Sequence, residues 1–224
     1  MDYRLGGEKM DEHEQHVVDM MYKLTGKYNT IQIFCDWVAL SALAINSEIV
    51  DKNKDYVSCQ EKYKNIASKY TGIEMTRMCV MLGELVLAME KNISDHLGNI
   101  YMTLSCGNKQ AGQFFTPYQI SKMVAKMMVA KENDGKIILN EPACGSGSMI
   151  IAVAQAMKEK GIDYKTQLIA YAQDLDWTAV YMTYIQLTLL DIQAIVTQKN
   201  ALEDATTETG IEFITPACIG IKIL

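Results

Sequence analysis

The sequence predicts an α/β domain with a parallel sheet, preceded by an all-helical domain. Three observations lead there. Beyond about residue 116, short aliphatic runs alternate with apolar patterns at helical spacing, as a parallel sheet with crossover helices requires. Before residue 105, apolar residues recur every three or four positions and no strand-and-turn alternation appears. Between them, "SCGNKQAGQ" (105–113) is polar and glycine-containing, which marks a boundary. The expected division is 1–105, helical, and 106–224, α/β.

In the helical half, "QHVVDMMYKL" (15–24) carries apolar residues at Val17, Val18, Met21 and Leu24. Residues 31–50 place Ile31, Phe34, Trp37, Val38, Ser41, Ile45 and Ile49 on one broad face. Residues 73–90 repeat the pattern with Ile73, Arg77, Val80, Met81, Glu84, Leu85, Leu87 and Ala88, and "ISDHLGNIYMTL" (93–104) does so with Ile93, Leu97, Ile100 and Leu104. The mixed-charge stretch 52–65 reads as a solvated face. Such a half suits a helical bundle.

The second half opens with "FFTPYQISKMVAKMM" (114–128). Thr116 at N-cap, Pro117 at N1 and Gln119 at N3 predict a capping box, with Ile120, Val124 and Met127 as its buried stripe. Then follow a strand at 136–139, a helix at 148–159, a strand at 167–172, a helix at 176–190 and a strand at 193–198. The last residues, "IGIKIL" (219–224), are strand-like.

The 224 residues carry a net charge of -6 and a pI of about 5.1. An acidic chain is a poor stand-alone polyanion binder, since phosphate contacts need Lys and Arg; a nucleic-acid substrate would need a partner's grip. Cysteines 35, 59, 79, 106, 144 and 218 form no Cys-x-x-Cys pair, and scattered thiols suit a reducing cytoplasm. The charged N-terminus lacks a signal core. The apolar run 37–47 is shorter than the roughly 20 residues that cross a bilayer, so no membrane role is expected.

The chemistry concentrates in "ILNEPACGSGSM" (138–149), a strand, a glycine turn and a helix start. In an open parallel sheet, ligands bind at the carboxyl ends of the strands. Gly145 and Gly147 permit tight torsions and close ligand approach. A dinucleotide fingerprint fails because position 150 is Ile, and a nucleotide P-loop fails because no Lys follows the turn. A zwitterionic sulfonium nucleoside, S-adenosylmethionine, suits Glu141 beside the turn, and a purely structural turn competes with it. At the end of the next strand Asp174 can accept from two ribose hydroxyls, while Asp176 suits a helix cap. After the third strand, Asn200 offers a carbonyl to an adenine amine.

"GQFFTP" (112–117), "NEPACGSGSM" (140–149), "YAQDLD" (171–176) and "QKNAL" (198–202) together resemble the adenine-N6 DNA methyltransferases, above all the modification subunit of type I restriction–modification systems. "DHLGNIYMTL" (95–104) resembles that family's helical junction. The resemblance implies a Rossmann-like, S-adenosylmethionine-dependent sheet, here incomplete at its C-terminus. It implies that Phe115 and Thr116 touch the methionine part of the cofactor, that Ala143, Gly145, Ser146 and Gly147 carry it, and that Glu141 stands where the family usually has Asp. Asp174 would hold the ribose and Asn200 the adenine. DNA is the implied partner, through a specificity subunit, and a homo-oligomer is compatible.

The family's catalytic tetrapeptide, Asn/Asp-Pro-Pro-Tyr/Phe, has no counterpart among Pro117, Pro142 and Pro216. Its acceptor oxygens let the weakly nucleophilic adenine amine pyramidalise as it attacks, and its ring stacks on the flipped base. "ITPACIG" (214–220) supplies neither, and the chain is expected to stop about where the motif would follow. No catalytic residue is therefore assigned. Two readings stand: the cofactor-binding part of an adenine methyltransferase, or a non-catalytic binding or interaction module of that descent. "HEQH" (13–16) has its histidines at i and i+3, the wrong spacing for a zinc protease, and no metal site is expected. His96 reads as a surface residue, and Cys144, with no base near it in sequence, as a packing thiol.

Overall fold

The computed structural model describes residues 4–5, 8–48, 54–105, 115–129, 135–202 and 211–219. They fall into two compact units, Met1–Asn92 with His96–Phe115 and Ile93–Asp95 with Thr116–Leu224.

The first unit begins with a short antiparallel pair, β1 (Arg4–Leu5) and β2 (Glu8–Lys9), where an all-helical start was expected. Helices α1 (Glu12–Leu24), α2 (Thr30–Ser47), α3 (Lys54–Ala67), α4 (Gly72–Lys91) and α5 (His96–Ser105) follow. Asp11 and Thr71 start α1 and α4 with capping boxes to Glu14 and Glu74, and Asn29 caps α2. Helix α2 is the core helix: Ile33, Phe34, Trp37, Val38 and Ala42 are all buried. It is also the one described helix long and apolar enough to cross a membrane, but it is sheathed by α1, α3 and α5. The Trp37 indole N–H donates to the Met78 carbonyl at 3.0 Å, fixing α2 on α4.

Two expectations are corrected in this unit. The buried stripe of α4 is Met78, Met81, Leu85, Ala88 and Met89, whereas Ile73, Val80 and Leu87 face outward. The helix is twenty residues long with one packed face, so apolar residues off that face simply remain at the surface. His96 is not a surface residue: it is 1% exposed, with Nδ1 2.8 Å from Glu14 Oε1. An imidazole hides well once a carboxylate from another helix satisfies it, and that partner lies 82 residues away.

The second unit contains α6 (Tyr118–Met128), β3 (Ile137–Glu141), α7 (Ser148–Glu159), α8 (Tyr164–Gln167), β4 (Leu168–Asp174), α9 (Trp177–Leu189), β5 (Gln193–Gln198) and β6 (Glu212–Ile214). The sheet order is β3-β4-β5-β6, with the first three parallel and β6 antiparallel to β5. Leu168, Ala170, Ala172, Ala194 and Val196 line the buried face, and α9 lies on β4 and β5 while α7 touches β3. The alternate residues face the other way; among them Ile138 is 69% exposed and Tyr171 47%. Phe213 of β6 is fully buried among the rings of Trp177, Tyr181 and Tyr184. Thr215, just after it, accepts from the Ala194 N–H and donates to the Ile192 carbonyl, so it clasps β5. Of the residues read as strand-like, 219–224, Ile219 instead closes a 3-10 turn (Pro216–Ile219), and 220–224 lie outside the described residues.

The start of α6 is a further correction. Its N-cap is Pro117, with no side-chain cap bond, so Thr116 and Gln119 form no capping box. The buried face is Ser121, Ala125 and Val129, while Ile120, Met123, Met127 and Met128 are exposed. Small residues let α6 approach α7 closely, and the larger apolar ones are turned out by about 100° per residue.

Candidate functional site

The carboxyl ends of β3, β4 and β5 are stitched to one another. The Cys144 N–H donates to the Gln173 carbonyl at 2.9 Å, and the Lys199 N–H donates to the Asp174 carbonyl at 3.0 Å. The three strand tips singled out in the sequence therefore share one rim of the second unit.

The turn between β3 and α7 is built by Gly145 (φ 56°) and Gly147 (φ 90°), both in the left-handed region. At Gly147 a Cβ would also meet Thr183 Oγ1 of α9 at 3.2 Å. The Thr183 hydroxyl donates to the Gly145 carbonyl at 3.0 Å, and the Gly147 N–H donates to the Cys144 carbonyl at 2.8 Å. Ala143 is exposed, and its N–H donates to Glu141 Oε1 at 3.3 Å. Ser146 and Gly147 are buried. Ser148 opens α7, and its hydroxyl lies 3.0 Å from that of Ser121.

Asp174 meets the turn directly. Its Oδ2 accepts from the Gly145 N–H at 2.9 Å and its Oδ1 from the Asp176 N–H at 3.0 Å. Each carboxylate oxygen has two acceptor sites, so each of these bonds leaves one. Asp176 caps α9 by accepting from the Ala179 N–H at 3.4 Å. Asn200 follows β5 and is half-buried; its Oδ1 accepts from the Leu202 N–H at 3.1 Å. Burial raises the pKa of Glu141; the negative charge of Asp174 adds to this, and the Ala143 N–H opposes it. Two carboxylates on one rim, one of them partly desolvated, form a setting that a cation relieves.

Cys144 sits below the turn, and burial pushes its thiol up to about 12. At neutral pH it is a protonated packing group and no nucleophile. Thr116 is exposed just before α6. Phe115 belongs to the first unit, where its ring lies 5.0 Å from that of Tyr101. The neighbouring Gly112, Gln113 and Phe114 lie outside the described residues.

Sequence reasoning missed Asp95 and Gln186. Asp95 is 3% exposed; its Oδ2 accepts the Ser146 hydroxyl at 2.5 Å and its Oδ1 the Gln186 side-chain N–H at 2.9 Å. Gln186, fully buried on α9, also donates to the Ser146 carbonyl at 2.7 Å. The signal was a polar residue in the apolar run of α9, "AVYMTYIQLTLL" (179–190), where a buried amide requires partners.

In the first unit, His13 and His16 gain a third neighbour invisible in the sequence, Glu84 of α4, with the ligating atoms of all three within 4.8 Å. His13 Nδ1 is 2.6 Å from Glu84 Oε2 and His16 Nδ1 is 3.4 Å from it. Two ligands of a tetrahedral ion stand about 3.3 Å apart when each bond is about 2.0–2.1 Å. The first pair is closer than that and is a charge-assisted hydrogen bond, which lowers the pKa of Glu84.

The chain is 27% identical over 142 residues to the type I restriction enzyme MpnII methylase subunit of Mycoplasma pneumoniae, covering 57% of this chain and 25% of that one. It is 29% identical over 111 residues to the type I restriction enzyme MjaIX methylase subunit of Methanocaldococcus jannaschii, covering 47% and 19%. The chain thus spans a quarter or less of the length of these curated relatives. A solved structure from Listeria monocytogenes, described as a class I S-adenosylmethionine-dependent methyltransferase, covers 89% of this chain and 57% of its own at 14% identity and a TM-score of 0.48. The profile of the family described as N-6 DNA Methylase matches residues 92–215, more than half of the 224, and so the chain belongs to the N-6 DNA methylase family.

Proposed function

We propose that the chain binds S-adenosylmethionine at the β3–α7 turn and is the cofactor-binding part of an adenine-N6 DNA methyltransferase of the type I restriction–modification kind. The observation that carries this reading is the Asp174 bond to Gly145: it joins the carboxylate of one strand tip to the glycine turn of the next. The residues fit the ligand's chemistry. Glu141 would face its cationic groups, and Gly145, Ser146 and Gly147 would take its methionine part. Asp174 would accept from the ribose through its remaining acceptor sites, and Asn200 would meet the adenine. Thr116 and Phe115 join this set through the family resemblance. When bound, the cofactor supplies an activated methyl group.

The acidic net charge supports the further reading that DNA is gripped through a partner, such as a specificity subunit, and the scattered cysteines, with no Cys-x-x-Cys pair, support work in the cytoplasm. Methyl transfer would need the catalytic tetrapeptide, which is not among these 224 residues, from a partner subunit or a further C-terminal part. The alternative is a non-catalytic binding or interaction module of the same descent. Methyl transfer to adenine-containing DNA by the purified chain alone would eliminate that alternative.

Isothermal titration with S-adenosylmethionine tests the site. Asp174→Ala removes acceptors for charged-group hydrogen bonds and is expected to weaken binding by about 1.5–3 kcal/mol. Unchanged affinity would refute the ribose role, and absence of binding to the wild-type chain at millimolar ligand would refute the site.

A further inference from the structure

Beneath the glycine turn lies a closed polar triangle inside the apolar core of the second unit. Its corners are the Asp95 carboxylate, the Ser146 hydroxyl and carbonyl, and the Gln186 amide. All three residues are at most 3% exposed. Each oxygen of Asp95 takes a donor, Ser146 Oγ at 2.5 Å and Gln186 Nε2 at 2.9 Å. Gln186 Nε2 has two hydrogens, and the second goes to the Ser146 carbonyl at 2.7 Å. Ser146 is thus held by its side chain and by its backbone at once.

Ser146 is the residue between the two left-handed glycines. A Gly-Ser-Gly segment has many accessible backbone states, and glycine loses more freedom on ordering than any other residue. The turn needs something to select one state. The described bonds of Gly145 fix the start of the turn, through Asp174 and Thr183. The triangle fixes its middle. Buried hydrogen bonds to a charged group are the strong kind, and losing one side leaves the other partners desolvated and unsatisfied.

We propose that Asp95 is a positioning residue for the ligand-binding turn: acting through Ser146 and Gln186, its buried carboxylate selects the backbone conformation in which Gly145–Gly147 receives the ligand. This rests on the cofactor site proposed above. Asp95 belongs to the second unit but lies far along the chain from its partners: it is 51 residues from Ser146 and 91 from Gln186. A change at Asp95 therefore reaches the turn although it touches no ligand.

The test compares Asp95→Ala and Asp95→Asn with Leu85→Ala, a core deletion in the first unit that serves as a stability control. Two readouts are taken on the full chain at a temperature where circular dichroism shows all variants folded. One is S-adenosylmethionine affinity by calorimetry; the other is hydrogen exchange of the peptide covering 141–151, without ligand. Asp95→Ala is expected to weaken affinity about tenfold or more and to speed exchange of that peptide, while Leu85→Ala changes neither. Asp95→Asn is expected to recover most of the affinity, because its carbonyl can accept from Gln186 while its amide donates to Ser146 Oγ. With wild-type binding intact, an affinity of Asp95→Ala within twofold of wild type overturns the proposal, whatever the exchange shows. If the wild-type chain does not bind the nucleoside, the cofactor site fails by itself. The positioning role is then decided by exchange alone: faster exchange in Asp95→Ala supports it and unchanged exchange overturns it.

Discussion

His96 shows how far one buried side chain departs from its sequence context. Burial by itself would lower its pKa; the Glu14 carboxylate at 2.8 Å outweighs this and raises it above the ordinary 6.5, helped by the Asn92 carbonyl. The folded chain then holds the proton more tightly than the unfolded chain. The stabilisation is complete below about pH 6.5 and fades as pH rises through the folded-state pKa. Thermal melts should show a stability decline on going from pH 6 to pH 8.5, and Glu14→Gln should flatten that decline, since an amide does not retain the proton. Asp11, whose pKa is lowered, titrates far below this window and leaves the comparison clean. Single residues were legible in the sequence where their partners were local. Asp176 was readable as a helix cap because its partner is three residues on. The Glu14–His96, Glu84–His13 and Asp95–Ser146 pairs span 82, 71 and 51 residues, and no local pattern encodes them.

At the scale of elements, periodicity placed α7 and β5 to the residue and β3, β4 and α9 to within two residues or so. It misjudged which face of a helix is buried where the packing partner prefers small residues. Helix α6 is the plain case. Of the expected stripe, Ile120 and Met127 are outside and Val124 is half-buried, while Ala125 is fully buried on a helix that packs on α7. Ala125→Leu should overpack that contact and cost about 1–3 kcal/mol by denaturant melts. Met127→Lys, at a position 80% exposed, should stay within about 0.5 kcal/mol. The reverse ranking would restore the face read from the sequence. Strand β6 was not legible at all, because three residues of "EFI" carry too short an alternation to register. The glycine turn, in contrast, was legible because its φ values demand glycine, and Pro142 and the two glycines punctuate the chain at that point.

For the whole molecule, the family motifs made the order of strand tips readable before their adjacency was known. Parallel sheets are ordinarily covered on both faces. Among the described residues β3 is an edge strand, and Ile138 and Tyr171 stand out from the sheet surface opposite the buried alanines. Such a surface should bind the dye ANS in the native state. Ile138→Lys should reduce the fluorescence without lowering the melting temperature by more than a few degrees, because a side chain 69% exposed contributes little burial. An unchanged signal would place the dye elsewhere.

The exposed side chains of Ile138 and Tyr171 have a thermal consequence. Apolar area already wet in the native state adds nothing to the heat capacity released when the chain opens. Burying those two side chains under a further layer would therefore steepen the curvature of stability with temperature, and leaving them wet keeps it flatter.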